Sequence, residues 1–316
     1  MNTAITTFAL ASGLASGLLA NLAQVDAPPG PGLHFVDVGQ GSAVVIHGSG
    51  GEVVIVDSGP PAGAEALRAA LERRAIDRVS LWIHSHYDAD HLGGFPAVVA
   101  GRDRLWPSED DLVVEALWDR GLDAPLPETD AMSLYLELAG DRRARPAPGA
   151  VFSAPGLRVE ALAADPPAVD AEENARGLTI CLELEGLRVL LPGDQPAAAV
   201  EAAAAACGPV DLLWLSHHGA LGGTSVAALA MADPRAVVIS AGHENGYCHP
   251  ATPVLARLGE IPTWILDGAG IDPRGSCEPM AASLAASQRL IGGDLWVGPG
   301  LEAWIALPGA GFVPSS

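Results

Sequence analysis

The stretch Ile83–Gly94, IHSHYDADHLGG, gathers His84, His86, Asp88, Asp90 and His91 within one short run. Two frames can be laid over it. In the first, His84-x-His86-x-Asp88 opens a His-x-His-x-Asp-His pattern, but Ala89 stands where the last ligand is required. In the second, His86-x-Asp88-x-Asp90-His91 supplies four possible ligands, with Asp88 in place of the second histidine. Strand alternation puts His86 and Asp88 on one side, and the turn that follows swings Asp90 and His91 towards a second metal. Gly93 and Gly94 let the backbone come close as the next helix begins. The second frame is preferred. His84 then becomes a core histidine, or one that supports a ligand from behind.

Working outward, short β-branched runs bounded by glycine precede this stretch. Leu33–Gly39, Ala43–Gly48 and Glu52–Gly59 read as strands, with a hairpin turn at Gly48–Gly51. Ala62–Ile76 reads as an amphipathic helix carrying Leu67, Ala70, Leu71 and Ile76 on one side. Val79–His86 is a buried strand running into the motif. Glu109–Gly121 and Thr129–Arg142 read as two helices. Strands resume at Leu157–Ala163, Leu178–Gly186 and Leu187–Asp194, and helix Pro196–Ala206 follows. Strand Asp211–Gly219, a helix near Thr224–Met231, strand Ala236–Gly242, a helix after Pro250, and strand Thr263–Gly268 continue the series. A last hairpin falls in Gly293–Leu307. Strands in two groups, each followed by helices, fit an α/β fold of four layers, two sheets face to face with helices outside.

About half of the 316 residues are hydrophobic and 17% are charged, so a sizeable core is within reach and the composition argues against wholesale disorder. All basic residues are arginine. The net charge of −21 disfavours a broad surface for nucleic-acid backbones, although metals or a local arginine cluster could still hold a phosphodiester. Cys181, Cys207, Cys248 and Cys277 show no paired spacing, which leads us to expect reduced thiols and a cytoplasmic protein. Residues 1–26 form an apolar, small-residue-rich stretch without Lys or Arg, read as a helix that packs or binds a protein partner. Export or membrane anchoring through residues 1–24 is the weaker alternative, since a basic leader and strongly apolar run are both missing. Residues 27–32 read as a linker into a hydrolase domain spanning 33–316.

The stretch His86–Gly94, with Phe35–Ile46 (FVDVGQGSAVVI) and Val54–Gly59 (VIVDSG), resembles the metallo-β-lactamase superfamily. The nearer likeness is to the soluble hydrolase domain of ComEC-type DNA-uptake proteins. It extends in order through Asn174–Ile180 (NARGLTI), Leu190–Asp194 (LLPGD), Asp211–Gly219 (DLLWLSHHG) and Val238–Pro250 (VISAGHENGYCHP). The resemblance implies an αββα sandwich and two divalent metal ions. It assigns His86 and Asp88 to one metal, Asp90 and His91 to the other, and Asp194 to both. His217 completes the second site, with its neighbour His218 as the other candidate. Asp57 orients the metal loop, and His249 contacts the scissile group or gives a proton to the leaving oxygen. The sequence departs from the pattern at Ala220, where serine is usual, and at Cys248, where glycine is usual. Asn174 stands where many superfamily members place a histidine. His34, His47 and His243 lack ligand spacing and read as structural or exposed.

The function this implies is hydrolysis of a phosphodiester, in DNA or RNA, by a hydroxide held between two ions. Three carboxylates among the ligands favour manganese, with zinc as the alternative. Two other readings stand beside it: a small-molecule hydrolase acting on a lactone, thioester or cyclic nucleotide, and an effector domain controlled by a partner through residues 1–26.

Overall fold

A computed structural model describes residue 28 and residues 30–103, 105–162, 172–242, 245–266, 284–307 and 310–315. Segment 1–26, Ala27 and Pro29 of the linker, His243 and Cys277 lie outside the described residues.

The first β-branched runs form β1 (Gly32–Phe35), β2 (Val44–His47) and β3 (Val53–Val56), every residue of which is buried. They pair antiparallel, and β5 (Leu81–Ile83) joins β3 in parallel. Between them in sequence, β4 (Arg78–Val79) pairs with β6 (Val113–Val114) in a separate two-stranded sheet. β7 (Leu117–Trp118) and β8 (Arg143–Ala144) extend one edge of this sheet. The second sheet runs from β9 (Val151–Ala154) through β10 (Leu157–Leu162), β11 (Thr179–Leu184), β12 (Leu187–Leu191) and β13 (Leu212–Trp214). It continues through β14 (Ala236–Ser240), β15 (Thr263–Leu266) and β16 (Gln288–Ile291). The chain then returns to the first sheet, where β17 (Leu295–Val297) pairs with β1 and is followed outward by β18 (Ala303–Leu307) and β19 (Ala310–Pro314).

Alternation along the strands decides which layer each side chain enters. Leu33, Phe35, Ile46, Val54, Leu81 and Ile83 meet Val159, Leu182, Val189, Leu212 and Val238 between the sheets. Their out-of-phase neighbours Val45, Ile55 and Trp82 face the helices α1 (Ala64–Glu72), α3 (Phe95–Val99) and α4 (Asp130–Ala139). The short α2 (Ala89–Leu92) carries the metal loop into that layer. On the far side Leu190, Leu213, Val237 and Ile239 pack under α5 (Ala197–Cys207), α6 (Val226–Ala232) and α7 (Thr252–Leu258). Burying each such side chain stabilises the fold by about 1.5–3 kcal/mol, and the result is the four-layer αββα arrangement.

Two expectations are corrected. Glu109–Gly121 is not a helix: it holds β6 and β7, with Leu112, Val114 and Leu117 buried and Val113 exposed. The thiols are not reduced either. Cys181 on β11 and Cys207 at the end of α5 form a disulfide across 26 residues, and Cys248 is also disulfide-bonded. Among the described residues no helix is long and apolar enough to cross a membrane.

Candidate metal centre

The centre forms where β3, β5, β12 and β13 end and their loops converge. Asp57 follows β3 in the left-handed region, at φ 60°. Its buried carboxylate accepts from Ser85 N at 2.7 Å, Ser85 Oγ at 2.8 Å and His91 Nδ1 at 2.7 Å. Asp57 therefore touches the ligand loop from behind. Backbone bonds from Ser42 N to Asp90 O (3.0 Å) and from Ser58 N to His91 O (2.7 Å) fasten the same loop to the β2 and β3 ends. Glycine is required twice here: a Cβ on Gly41 would strike Asp90 O, and one on Gly94 would strike Ser58 O.

The ring nitrogens are sorted by these partners. His91 Nδ1 gives its proton to Asp57, which leaves Nε2, turned towards Asp194 Oδ1 at 3.3 Å, as the nitrogen that ligates once it sheds its proton. Ser85 Oγ gives its proton to Asp57 and lies 3.0 Å from His86 Nδ1, which leaves His86 Nε2 buried without a partner. His218 Nδ1 donates to Ser240 O at 2.8 Å. Its Nε2 lies 3.1 Å from Asp90 Oδ2, 3.4 Å from Asp194 Oδ2 and 3.3 Å from His91 Nε2. Three imidazole nitrogens, each backed by a partner on the far side or aimed inward, thus converge with Asp90 and Asp194.

Two ligand-like groups result, His86/His91/Asp194 and Asp90/His91/His218, each with its donor atoms within 4.8 Å of one another. Asp88 is at the N-cap of α2 but makes no cap bond, and its Oδ2 stands 3.5 Å from His86 Nε2. His217, the expected ligand, is one-third exposed, with Nε2 3.8 Å from Asp194 Oδ2. His218 occupies the inner position instead. Both residues sit at φ 53° in the turn Ser216–Gly219 after β13, so the strand's alternation no longer says which of them faces in.

Charge is unevenly shared within this cluster. Burial opposes a charge on His218, but Asp194 and Asp90 outweigh it and push its pKa up to about 10. His91 is also held well above the usual range: burial resists, and Asp194, Asp57 and Asp90 prevail. Asp194, although burial would raise it, is held well below the carboxylate range by His91 and His218. A knot of aspartates that retains cationic histidines is chemically a cation site, and a metal ion is the compact way to supply that charge. The orphaned His86 Nε2, pointing into the same space, fits that demand.

His249 stands over the cleft, with its ring 5.6 Å from that of His217 and 6.3 Å from that of His218. Burial, followed by the charges of His218 and His217, lowers its pKa to about 4, and its Nδ1 is buried without a partner. His84 is elsewhere. β5 ends at Ile83, and the His84 ring turns into the helical layer, 5.1 Å from Phe95 and 5.0 Å from Tyr135, where burial lowers its pKa to about 4.

Three supporting residues escaped the sequence reading. Ser85 joins Asp57 to His86. Glu173 accepts Tyr87 N at 3.0 Å between His86 and Asp88, and Arg120 binds Glu173 Oε2 at 2.7 Å while its guanidinium lies 4.2 Å from the Tyr87 ring centroid. Only the position of Ser85 and Tyr87 inside the ligand run could have signalled them. Asn174 lies on the 3₁₀ turn Glu173–Arg176 rather than on a strand, with its Oδ1 buried and unpartnered.

The metallo-β-lactamase superfamily model matches residues 36–243, and the chain belongs to that superfamily. It is a metal-dependent hydrolase of this fold, a fold that binds divalent metals. No curated protein shows significant sequence similarity to it. Among solved structures, the metallo-β-lactamase fold protein YhfI from Bacillus subtilis is similar at 12% identity and TM-score 0.48, over 85% of this chain and 100% of that one. A putative metal-dependent hydrolase from Parabacteroides distasonis is similar at 14% identity and TM-score 0.45, over 78% and 97%. CmlA, a diiron β-hydroxylase from Streptomyces venezuelae, is similar at 13% identity and TM-score 0.44, over 68% of this chain. The chain spans only 45% of the length of CmlA.

Proposed function

We propose that the chain hydrolyses phosphodiesters with two divalent ions, manganese before zinc. His86, Asp88 and Asp194 would hold one ion, and Asp90, His91, His218 and Asp194 the other. The observation that carries this is Asp194, which joins His86 and His91 in one ligand-like group and also reaches His218 Nε2 of the other at 3.4 Å, so that one carboxylate addresses both groups. Bound ions at such a site polarise a phosphoryl oxygen and make water acidic enough to supply a nucleophile near neutral pH. The protein's own part is positioning. Asp57 and Ser85 fix the two histidine rings, and the neutral His249 imidazole offers an N–H to a phosphoryl oxygen. Its lowered pKa suits that contact better than donation of a proton to the leaving oxygen. Three carboxylates against three imidazoles favour the harder ion.

Nucleic acid as the substrate class rests on the likeness to ComEC-type domains, and the charge of −21 favours short substrates over long polyanions. The disulfides favour an oxidising compartment, and so export through the N-terminal segment, over the cytoplasm. The test is a screen of metal-stripped protein, reloaded with manganese or zinc, against bis(p-nitrophenyl) phosphate, short single-stranded DNA and RNA, a lactone and a thioester. Turnover of the lactone or thioester with none of the phosphodiesters would refute the reading.

A further inference from the structure

An aromatic ladder leaves the metal centre and ends in solvent. The His91 and His218 ring centroids are 5.2 Å apart. His249 follows at 6.3 Å and 22° from His218, and Tyr247 at 5.7 Å and 23° from His249. His218 is 3% exposed and Tyr247 is 71% exposed, so the last ring presents its outer side to solvent at the cleft rim.

This ring is not on a slack loop. Asn245 donates to Gly242 O at 2.6 Å and to His249 O at 2.8 Å, and accepts from His249 N at 2.8 Å. Gly242 N donates to Gln40 Oε1 at 3.0 Å, and the disulfide-bonded Cys248 holds φ 60°. Leu221, 59% exposed, follows the turn that carries His217 and His218, and that turn is tied to the His249 loop by Ala251 N to Gly219 O at 3.0 Å. Tyr247 therefore offers a solvent-facing π-surface on a tethered backbone, with its ring stacked on His249.

We propose that Tyr247 is a stacking platform for a nucleobase of the phosphodiester substrate. The inference rests on the phosphodiesterase reading above and narrows it to substrates that bring one unpaired base to the rim. Stacking fits this surface because every base has a π-face and needs no cationic groove, which an acidic chain lacks the charge to build. The platform supplies binding and orientation, while the metal ligands and His249 act on the phosphate. It also separates this site from one that accepts any small diester.

The experiment compares two esters with the same leaving group, thymidine 5′-(p-nitrophenyl phosphate) and methyl p-nitrophenyl phosphate, on the metal-loaded full chain. We expect the ratio of their kcat/KM values to favour the nucleoside. It should fall on the order of tenfold in Tyr247→Ala, through KM, and be kept in Tyr247→Phe. Val151→Ala, at an exposed apolar residue on the edge strand β9, is the control. A second arm titrates thymidine 5′-monophosphate against methyl phosphate calorimetrically and expects the nucleoside preference to vanish only in Tyr247→Ala. An unchanged ratio in a folded Tyr247→Ala protein overturns the platform. If neither ester is turned over, the phosphodiesterase reading fails, and the binding arm alone upholds or overturns the platform.

Discussion

Asp57→Asn isolates the carboxylate's contribution to the metal centre. The native carboxylate is wholly buried, and Ser85 N, Ser85 Oγ and His91 Nδ1 all donate to it within 2.8 Å. Asparagine tolerates the left-handed backbone that Asp57 adopts at φ 60°, so the substitution leaves the turn unstrained. Its one oxygen must stay with Ser85 N, which puts the amide NH2 against Ser85 Oγ and His91 Nδ1. His91 then moves its proton to Nε2, the atom 3.3 Å from Asp194, and that nitrogen can no longer ligate. Forcing it back costs about 1.5–3 kcal/mol, the worth of a hydrogen bond to a charged group. Metal affinity should therefore drop roughly 10–100-fold. Competition with a chelator for manganese reads the change, and circular dichroism confirms folding. A folded variant that binds manganese within about twofold of wild type refutes the reasoning.

His218→Ala should lose bound metal, whereas His217→Ala should keep it; metal analysis of the purified variants decides, and the reverse pattern restores His217 as the ligand. His84→Phe should leave metal content unchanged and melt no lower than wild type, because it removes two buried nitrogens that have no partner. Metal binding at pH 7 should release about two protons, from His91 and His218, as a dye assay in weak buffer would show. The sign follows from the raised pKa values: ligation needs neutral imidazoles, so affinity weakens as pH falls and strengthens as pH rises towards the His218 value of about 10. In the metal-free protein the same His218 contributes stability that is complete below its ordinary pKa and is lost as pH rises through about 10.

The fold was legible wherever a strand buried both faces or a helix kept its period, because burial writes itself into local spacing. Leu67, Ala70 and Leu71 mark α1 in this way, and Val53–Val56 marks β3. Glu109–Gly121 misled because its apolar residues are dense enough to suit either period, and the pairings of β6 with β4 and of β7 with β5 that settle it are made at a distance. The disulfide was hidden for the same reason, since β11 and α5 meet only through packing. In the site, His86, Asp88, Asp90 and His91 are contiguous in sequence, so their clustering could be read directly. The choice between His217 and His218 depends on two left-handed residues past the end of β13, where alternation stops. Glu173 and Arg120 reach the site from loops whose spacing carries no periodic signal.

In the proposed reaction His86, Asp88, Asp90, His91, Asp194 and His218 hold two ions that together cleave a phosphodiester. Titrating stripped protein with manganese while following bound metal and bis(p-nitrophenyl) phosphate hydrolysis tests it most directly. Hydrolysis should climb to a plateau at about two ions per chain, be weaker with zinc, and shift towards zinc in Asp88→His. A plateau at a single ion, or hydrolysis that persists in stripped protein held in excess chelator, would contradict it.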